Sequence, residues 1–159
     1  MFGDMGAPGA RGRYGRLMVG AKNRSREMAI SVLDRACLRP TRQRLLLAQV
    51  LFERGDRHVT AEQLHCEAEA EGATISLATV YNTLHQFRSA GLLREVVVEA
   101  GRAYFDTNIT DHHHLYIEDT GNLSDVPGDL VAWDALPAIP QGFKVDRIDV
   151  VIRLRSDIK

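Results

Sequence analysis

Ser76-Leu-Ala-Thr-Val-Tyr-Asn-Thr-Leu-His-Gln-Phe87 is the stretch on which the fold turns. Wound as a helix, it places Leu77, Val80, Leu84 and Phe87 on one apolar stripe. The opposite face carries Thr79, Asn82 and Gln86, with Tyr81 on the flank. Asn and Gln can pair bidentately with adenine, and Tyr can pack on a thymine methyl. Alone, this stripe equally fits an amphipathic helix with a solvated polar face. What surrounds it decides between the two.

Upstream, the chain reads as three more helices. Ser25 is expected to cap a helix ending near Cys37. Pro40 breaks that helix and Thr41 caps the next, Arg42 to Glu53. Thr60, with Gln63 at the capping-box position, opens a third that Gly72 stops. Arg39, Arg42 and Arg44 cluster at the start of the second helix, where phosphate contacts would set register without reading sequence. Downstream of Gly91 the period changes. Leu92–Val98 and Arg102–Asp106 read as two strands about an Ala100-Gly101 turn. Short helices followed by a hairpin make a winged helix-turn-helix. With it, Ser76, Thr79, Tyr81 and Asn82 become candidate DNA contacts, together with the three arginines.

The rest of the chain predicts a smaller α/β unit, so the fold class is α+β. A strand is expected at His114–Glu118, a helix at Leu130–Leu136 and a long strand at Phe143–Leu154. Such a unit is too small to hold a core by itself. It is expected to pair with a second copy through Leu115, Ile117, Ile148, Val150 and Ile152. The predicted organisation is a flexible basic tail at 1–25, a winged-helix domain at 26–106, and a dimerisation and sensing domain at 107–159. The tail reads either as a start placed too far upstream, with Met18 and Met28 following, or as a basic arm.

Net charge is −1 over 159 residues, but it is polarised. Residues 1–26 carry a net +5, residues 27–98 a net −1 and residues 99–159 a net −5. A basic front suits phosphates and an acidic rear suits cations. No apolar run can span a bilayer and no secretory leader opens the chain, so a cytoplasmic location without membrane partners is expected. The two cysteines, Cys37 and Cys66, exclude a disulfide framework and a structural four-cysteine zinc site within one chain. Cys37 is expected at a helix end in the core.

His112-His113-His114 is the second informative motif. In an extended segment His112 and His114 share a face and His113 opposes them. Two imidazoles with Asp106 and Asp125 nearby suit Fe²⁺, Mn²⁺ or Zn²⁺. A solvated loop is the alternative, and for His58, alone before the third helix, it is the simpler one. His65 and His85 lie on helices and read as structural.

Four stretches resemble the ferric uptake regulator family: Leu38-Arg-Pro-Thr-Arg-Gln-Arg44, His58-Val-Thr-Ala-Glu-Gln-Leu64, Ser76 to Leu84, and Phe105-Asp-Thr-Asn with Asp111-His-His-His114. The triple histidine, the Asp-Thr-Asn and the ending Arg147-Ile-Asp-Val-Val-Ile-Arg-Leu154 are similar to its iron response regulator branch. The resemblance covers about residues 26–157. It implies a homodimeric regulator, mainly a repressor, of iron and haem metabolism genes. The operator would be palindromic double-stranded DNA, with Tyr81 on bases and Arg42 and its neighbours on the backbone. It also implies a regulatory metal site of His58, Asp106, His112, His114 and Asp125. Haem, or a haem-delivering enzyme, is a further implied partner, with His112, His113 and His114 as candidate ligands. The chain departs from the family in lacking paired Cys-x-x-Cys zinc sites, and it has no Cys-Pro haem motif.

A peroxide- or other metal-sensing regulator of the same family is the alternative function. A small metal hydrolase would need an open coordination position and a general base. No His-Glu-x-x-His and no nucleophile constellation is present, so the chain is not expected to be an enzyme. A metal-storage module would not need a polar-faced helix.

Overall fold

The computed structural model describes residues 11–99, 101–130 and 137–157. Helix α1 runs Arg11–Arg35, α2 Arg42–Phe52, α3 Ala61–Ala70 and α4 Leu77–Ser89. The caps are those expected. Thr41 accepts from the Arg44 N–H, Thr60 and Gln63 form a reciprocal capping box, and Ser76 accepts from the Thr79 N–H.

The first helix departs from expectation at both ends. It begins at Arg11, and Ser25 lies within it rather than capping it. Leu17, Met18, Ala21 and Lys22 are good helix formers, so the chain before Ser25 is already helical and offers no cap position. Of the expected flexible tail, residues 1–10 lie outside the described residues and 11–25 are helix. At its other end, Leu38 N–H reaches the Leu33 carbonyl and Cys37 N–H the Asp34 carbonyl. Cys37 holds the left-handed position of this cap, with φ 55°. That conformation turns its side chain to solvent, so Cys37 is exposed and not a core residue. The same two-bond cap closes α3 at Gly72 and α4 at Gly91.

Strand β1 (His58–Val59) is a short element where the sequence predicts a loop. It joins β2 (Arg94–Glu99) and β3 (Arg102–Asp106) in a sheet ordered β1-β3-β2. The register sets His58 opposite Asp106, and Asp106 opposite Arg94. Cross-strand partners project to the same face, so these three side chains form one row.

The rear sheet is β5-β4-β6, with β4 His112–Ile117, β5 Asn122–Pro127 and β6 Val151–Leu154. β4 pairs antiparallel with β5, setting His114 opposite Asp125, and parallel with β6, setting His114 opposite Val151. The long strand expected over 143–154 is therefore only its last four residues. A strand needs a ladder partner, and β4 begins at His112; the backbone upstream of Val150 runs past the end of that partner. Of the helix expected at 130–136, Gly128–Leu130 form a single 3₁₀ turn, and 131–136 lie outside the described residues.

Two apolar clusters result. The larger gathers Leu33, Leu47, Leu51, Leu64, Leu84 and Phe87 from all four helices, with Phe105 from the wing. The smaller holds Val96, Val98, Tyr104, Tyr116 and Leu123, with Val151 against it, and so joins the wing to the rear sheet.

Candidate metal centre

The three histidines open β4, so their alternation is enforced by the pleat. His112 and His114 turn one way, and their Nε2 atoms lie 3.1 Å apart. Asp106, at the end of β3, approaches both from the neighbouring sheet. Its Oδ2 is 2.9 Å from His112 Nε2 and 3.3 Å from His114 Nε2. β1 delivers His58, whose Nε2 is 3.6 Å from Asp106 Oδ1 and 2.9 Å from Asp125 Oδ1 on β5. One ligand atom from each of these five residues lies within 4.8 Å of every other. Asp106 and His114 are fully buried, and His112 nearly so.

The donor chemistry fits a divalent cation. Despite the 2.9 Å approach of Asp125, His58 Nε2 is buried without an aligned hydrogen-bond partner. The Nε2 atoms of His112 and His114 converge on each other and on Asp106 Oδ2. Burial holds His58 below the ordinary histidine range against the pull of Asp106 and Asp125, which favours the neutral, ligating form. Burial would raise Asp106. The hydrogen bond from His114, the Asn108 N–H and the charges of His58 and His112 outweigh it and hold the carboxyl below its ordinary value. Three imidazoles and two carboxylates suit Fe²⁺, Mn²⁺ or Zn²⁺.

Two residues outside the predicted ligand set support it. The Asn108 N–H donates to Asp106 Oδ1 (2.8 Å) and its side-chain amide to Asp125 Oδ2 (2.7 Å). An Asn two residues after an Asp is an Asx-turn signal that could have found it. Arg94, buried on β2, donates from Nη1 to the Thr110 carbonyl and from Nη2 to Asp149, at 2.6 Å each. No local pattern marks it.

His113 faces away from the five, as expected. It is buried, and neither ring nitrogen has a hydrogen-bond partner. It borders a cavity of about 80 Å³ lined by Asp111, Gly128, Asp146 and Arg147. His65 bonds the Ile75 carbonyl through Nε2, and His85 packs edge-on to Phe105, so both have structural partners.

The candidate DNA contacts gather at the start of α2 and along α4. Val80, Leu84 and Phe87 are buried in the larger cluster, while Tyr81, Asn82 and Gln86 are exposed. Arg44 ties α2 to this face, donating to Gln86 Oε1 (2.9 Å) and to the Arg39 carbonyl (2.8 Å). Arg39 and Arg42 are exposed. Tyr81 donates its hydroxyl to Glu62 on α3 at 2.7 Å, and Ser76 Oγ meets Thr79 Oγ1 at 2.8 Å.

Comparison with known proteins places this arrangement. Residues 35–153 match the Ferric uptake regulator family. The ferric uptake regulation protein of Escherichia coli K12 is 35% identical over 102 residues, 64% of this chain and 69% of that protein. The peroxide operon regulator of Bacillus subtilis is 34% identical over 119 residues, 74% of this chain and 81% of that protein. The crystal structure of the Vibrio cholerae ferric uptake regulator superposes with a TM-score of 0.64 at 26% identity, covering 79% of this chain and 98% of that one. The Pseudomonas aeruginosa ferric uptake regulator with manganese gives 0.62 at 25% identity, covering 82% and 98%. The chain belongs to the ferric uptake regulator family.

Proposed function

We propose that this chain is a metal-responsive transcriptional repressor of iron and haem metabolism genes, of the iron response regulator branch. It reads a palindromic operator as a homodimer. The observation that carries this is the shared cluster: His58 and Asp106 come from the winged-helix sheet, and His112, His114 and Asp125 from the rear sheet. A cation held by both sheets would have different affinity for different angles between the halves, which is what a ligand-driven switch requires. Fe²⁺ or Mn²⁺ would be held by these five residues and would supply charge that brings their carboxylates and imidazoles together. His58 and Asp106 anchor it to the reading unit, and Asn108 keeps both carboxylates turned inward.

Several features support the DNA and dimer parts. Tyr81 and Asn82 stand exposed on α4, Arg44 reaches that helix at Gln86 while holding the Arg39 carbonyl, and Arg39 and Arg42 are exposed, so bases and phosphates would be met together. β6 is an edge strand whose Ile152 and Leu154 are 37% and 42% exposed, an apolar edge that a second copy would cover. Val150→Glu should therefore give monomers by sedimentation that no longer hold a palindrome; a palindrome-binding dimer would contradict this. No described helix is long and apolar enough to cross a membrane.

Haem is the finer part of the reading, and His113 is its ligand of choice because both ring nitrogens are free of hydrogen bonds. The adjoining cavity is far smaller than the roughly 300–1,000 Å³ of ordinary cofactor sites, so haem would have to displace its lining. The deciding experiment measures binding to iron-regulated promoter DNA by metal-free, Mn²⁺-loaded and haem-loaded protein. Metal-strengthened, haem-released binding is expected. Binding indifferent to both would refute the sensor.

A further inference from the structure

We infer that Arg94 is a positioning residue for the metal centre, holding His112 in the orientation that aims Nε2 at the ion. This rests on the five-residue site proposed above. Arg94 stands in the same cross-strand row as His58 and Asp106, but as a cation rather than a ligand. Its side chain is 6% exposed, an expensive place for a guanidinium without partners.

The partners come from two other segments. Nη1 donates to the Thr110 carbonyl at 2.6 Å, and Nη2 to Asp149 Oδ1 at 2.6 Å. The Thr110 carbonyl also lies 2.8 Å from His112 Nδ1. His112 Nε2 faces the cluster, 2.9 Å from Asp106 and 3.4 Å from Asp125. A histidine that ligates through Nε2 carries its proton on Nδ1, and that N–H needs an acceptor to set the ring. The Thr110 carbonyl is that acceptor, and Arg94 is what fixes it. Arg94 Nη1 then lies 3.1 Å from Nδ1 as a second donor on a shared oxygen, not as a donor to the ring. The loop is braced from its other side by Asn108 Oδ1, which accepts from the Thr110 N–H and hydroxyl.

A cation this close to the ion would also repel it. Asp149 offsets that charge at the guanidinium's outer end, and it is shared with Arg147 at 2.8 Å. Orientation is therefore the larger effect, and losing Arg94 weakens metal binding rather than strengthening it.

The test is Mn²⁺ titration of full-length parent, Arg94→Met, His112→Ala and the double variant, with melting temperatures recorded without metal. Loss of an outer partner of a ligating histidine weakens affinity by about 10–100-fold, which is the expected effect of Arg94→Met. In the His112→Ala background the same change should add little, because the ring it positions is gone. The Co²⁺ absorption bands should also shift in Arg94→Met, reporting a moved ligand. Unchanged or tighter Mn²⁺ binding in Arg94→Met would overturn the inference, as would an equal loss in the His112→Ala background. Full affinity in His112→Ala would instead overturn the metal site itself. Should Arg94→Met fail to fold, Asp149→Ala leaves the arginine in place while freeing its outer end. It is expected to weaken Mn²⁺ about tenfold, and unchanged binding would count against the proposal.

Discussion

The helical half and the rear sheet are built on different principles. Around Leu84 and Phe87, α1 to α4 interlock a continuous apolar core in which Leu33, Leu47, Leu51 and Leu64 are also fully buried. The rear sheet has Tyr116 and Leu123 against Val96, Val98 and Tyr104, and where more apolar side chains would sit it buries His112, His113 and His114 instead. Hydrophobic burial is non-directional, so the packing of the front needs no bound ion. Buried imidazoles are satisfied only by specific partners, so with the proposed site the rear would depend on what is bound there. On the proposed function, one half would be a platform and the other a conditional joint.

Removing ligands tests the conditional side most severely. His112→Ala with His114→Ala should weaken Mn²⁺ binding beyond about a thousandfold, or about 4 kcal/mol, since two direct ligands exceed any outer partner. A lone His113→Ala should leave Mn²⁺ affinity unchanged. Calorimetric titration of both variants would decide it, and a double variant with parental affinity would place the site elsewhere.

Equal truncations should then separate the two cores. Leu84→Ala empties a fully buried site and is expected to cost about 3–5 kcal/mol in urea unfolding; Leu123→Ala, in the thinner cluster, about 2 kcal/mol. Equal costs would erase the distinction drawn between the halves.

Tyr81→Ala sharpens the comparison from the front, because an exposed side chain on a rigid platform should matter to DNA and not to folding. We expect a loss of about 1–3 kcal/mol on the operator, with little change in nonspecific affinity or melting temperature. Parental operator affinity would remove α4 as the reading helix.

The smallest effect concerns the bidentate Arg57–Glu67 pair, at 2.9 and 2.5 Å. The hydrogen bonds from Arg57 hold the Glu67 carboxyl below its ordinary value, against its burial. A carboxylate lowered in the folded state contributes stability above its unfolded pKa and loses it as pH falls through the folded one. Glu67→Gln should cost about 0.5–1 kcal/mol at neutral pH, fading on acidification below the ordinary carboxylate range. A cost constant with pH would assign it to packing.

Much of this was legible along the chain. Thr41, Thr60 and Ser76 mark their helices because a cap is satisfied within three residues, and Gly72 and Gly91 stop theirs through bonds of similar reach. The apolar stripe through Leu77, Val80, Leu84 and Phe87 is set by the helical repeat. The common facing of His112 and His114 is set by the pleat. These are short-range rules, and they sufficed for the capped helices and the hairpin of the front half and for the common facing of His112 and His114. What they could not deliver was anything that depends on a distant partner. His58 is indistinguishable from a loop histidine until β1 pairs with β3 and sets it opposite Asp106. The ladder of β4, not the apolar pattern of 143–154, decides that β6 begins at Val151. Ser25 looks like a cap and sits inside α1, because helix formers on both sides override it. Arg94 carries no motif at all, since its role arises from Thr110 and Asp149 arriving beside it, the latter from 55 residues away. Local hydrogen bonds and periodicity are written in neighbouring residues, whereas a site assembled by four strands exists only once the chain has closed on itself.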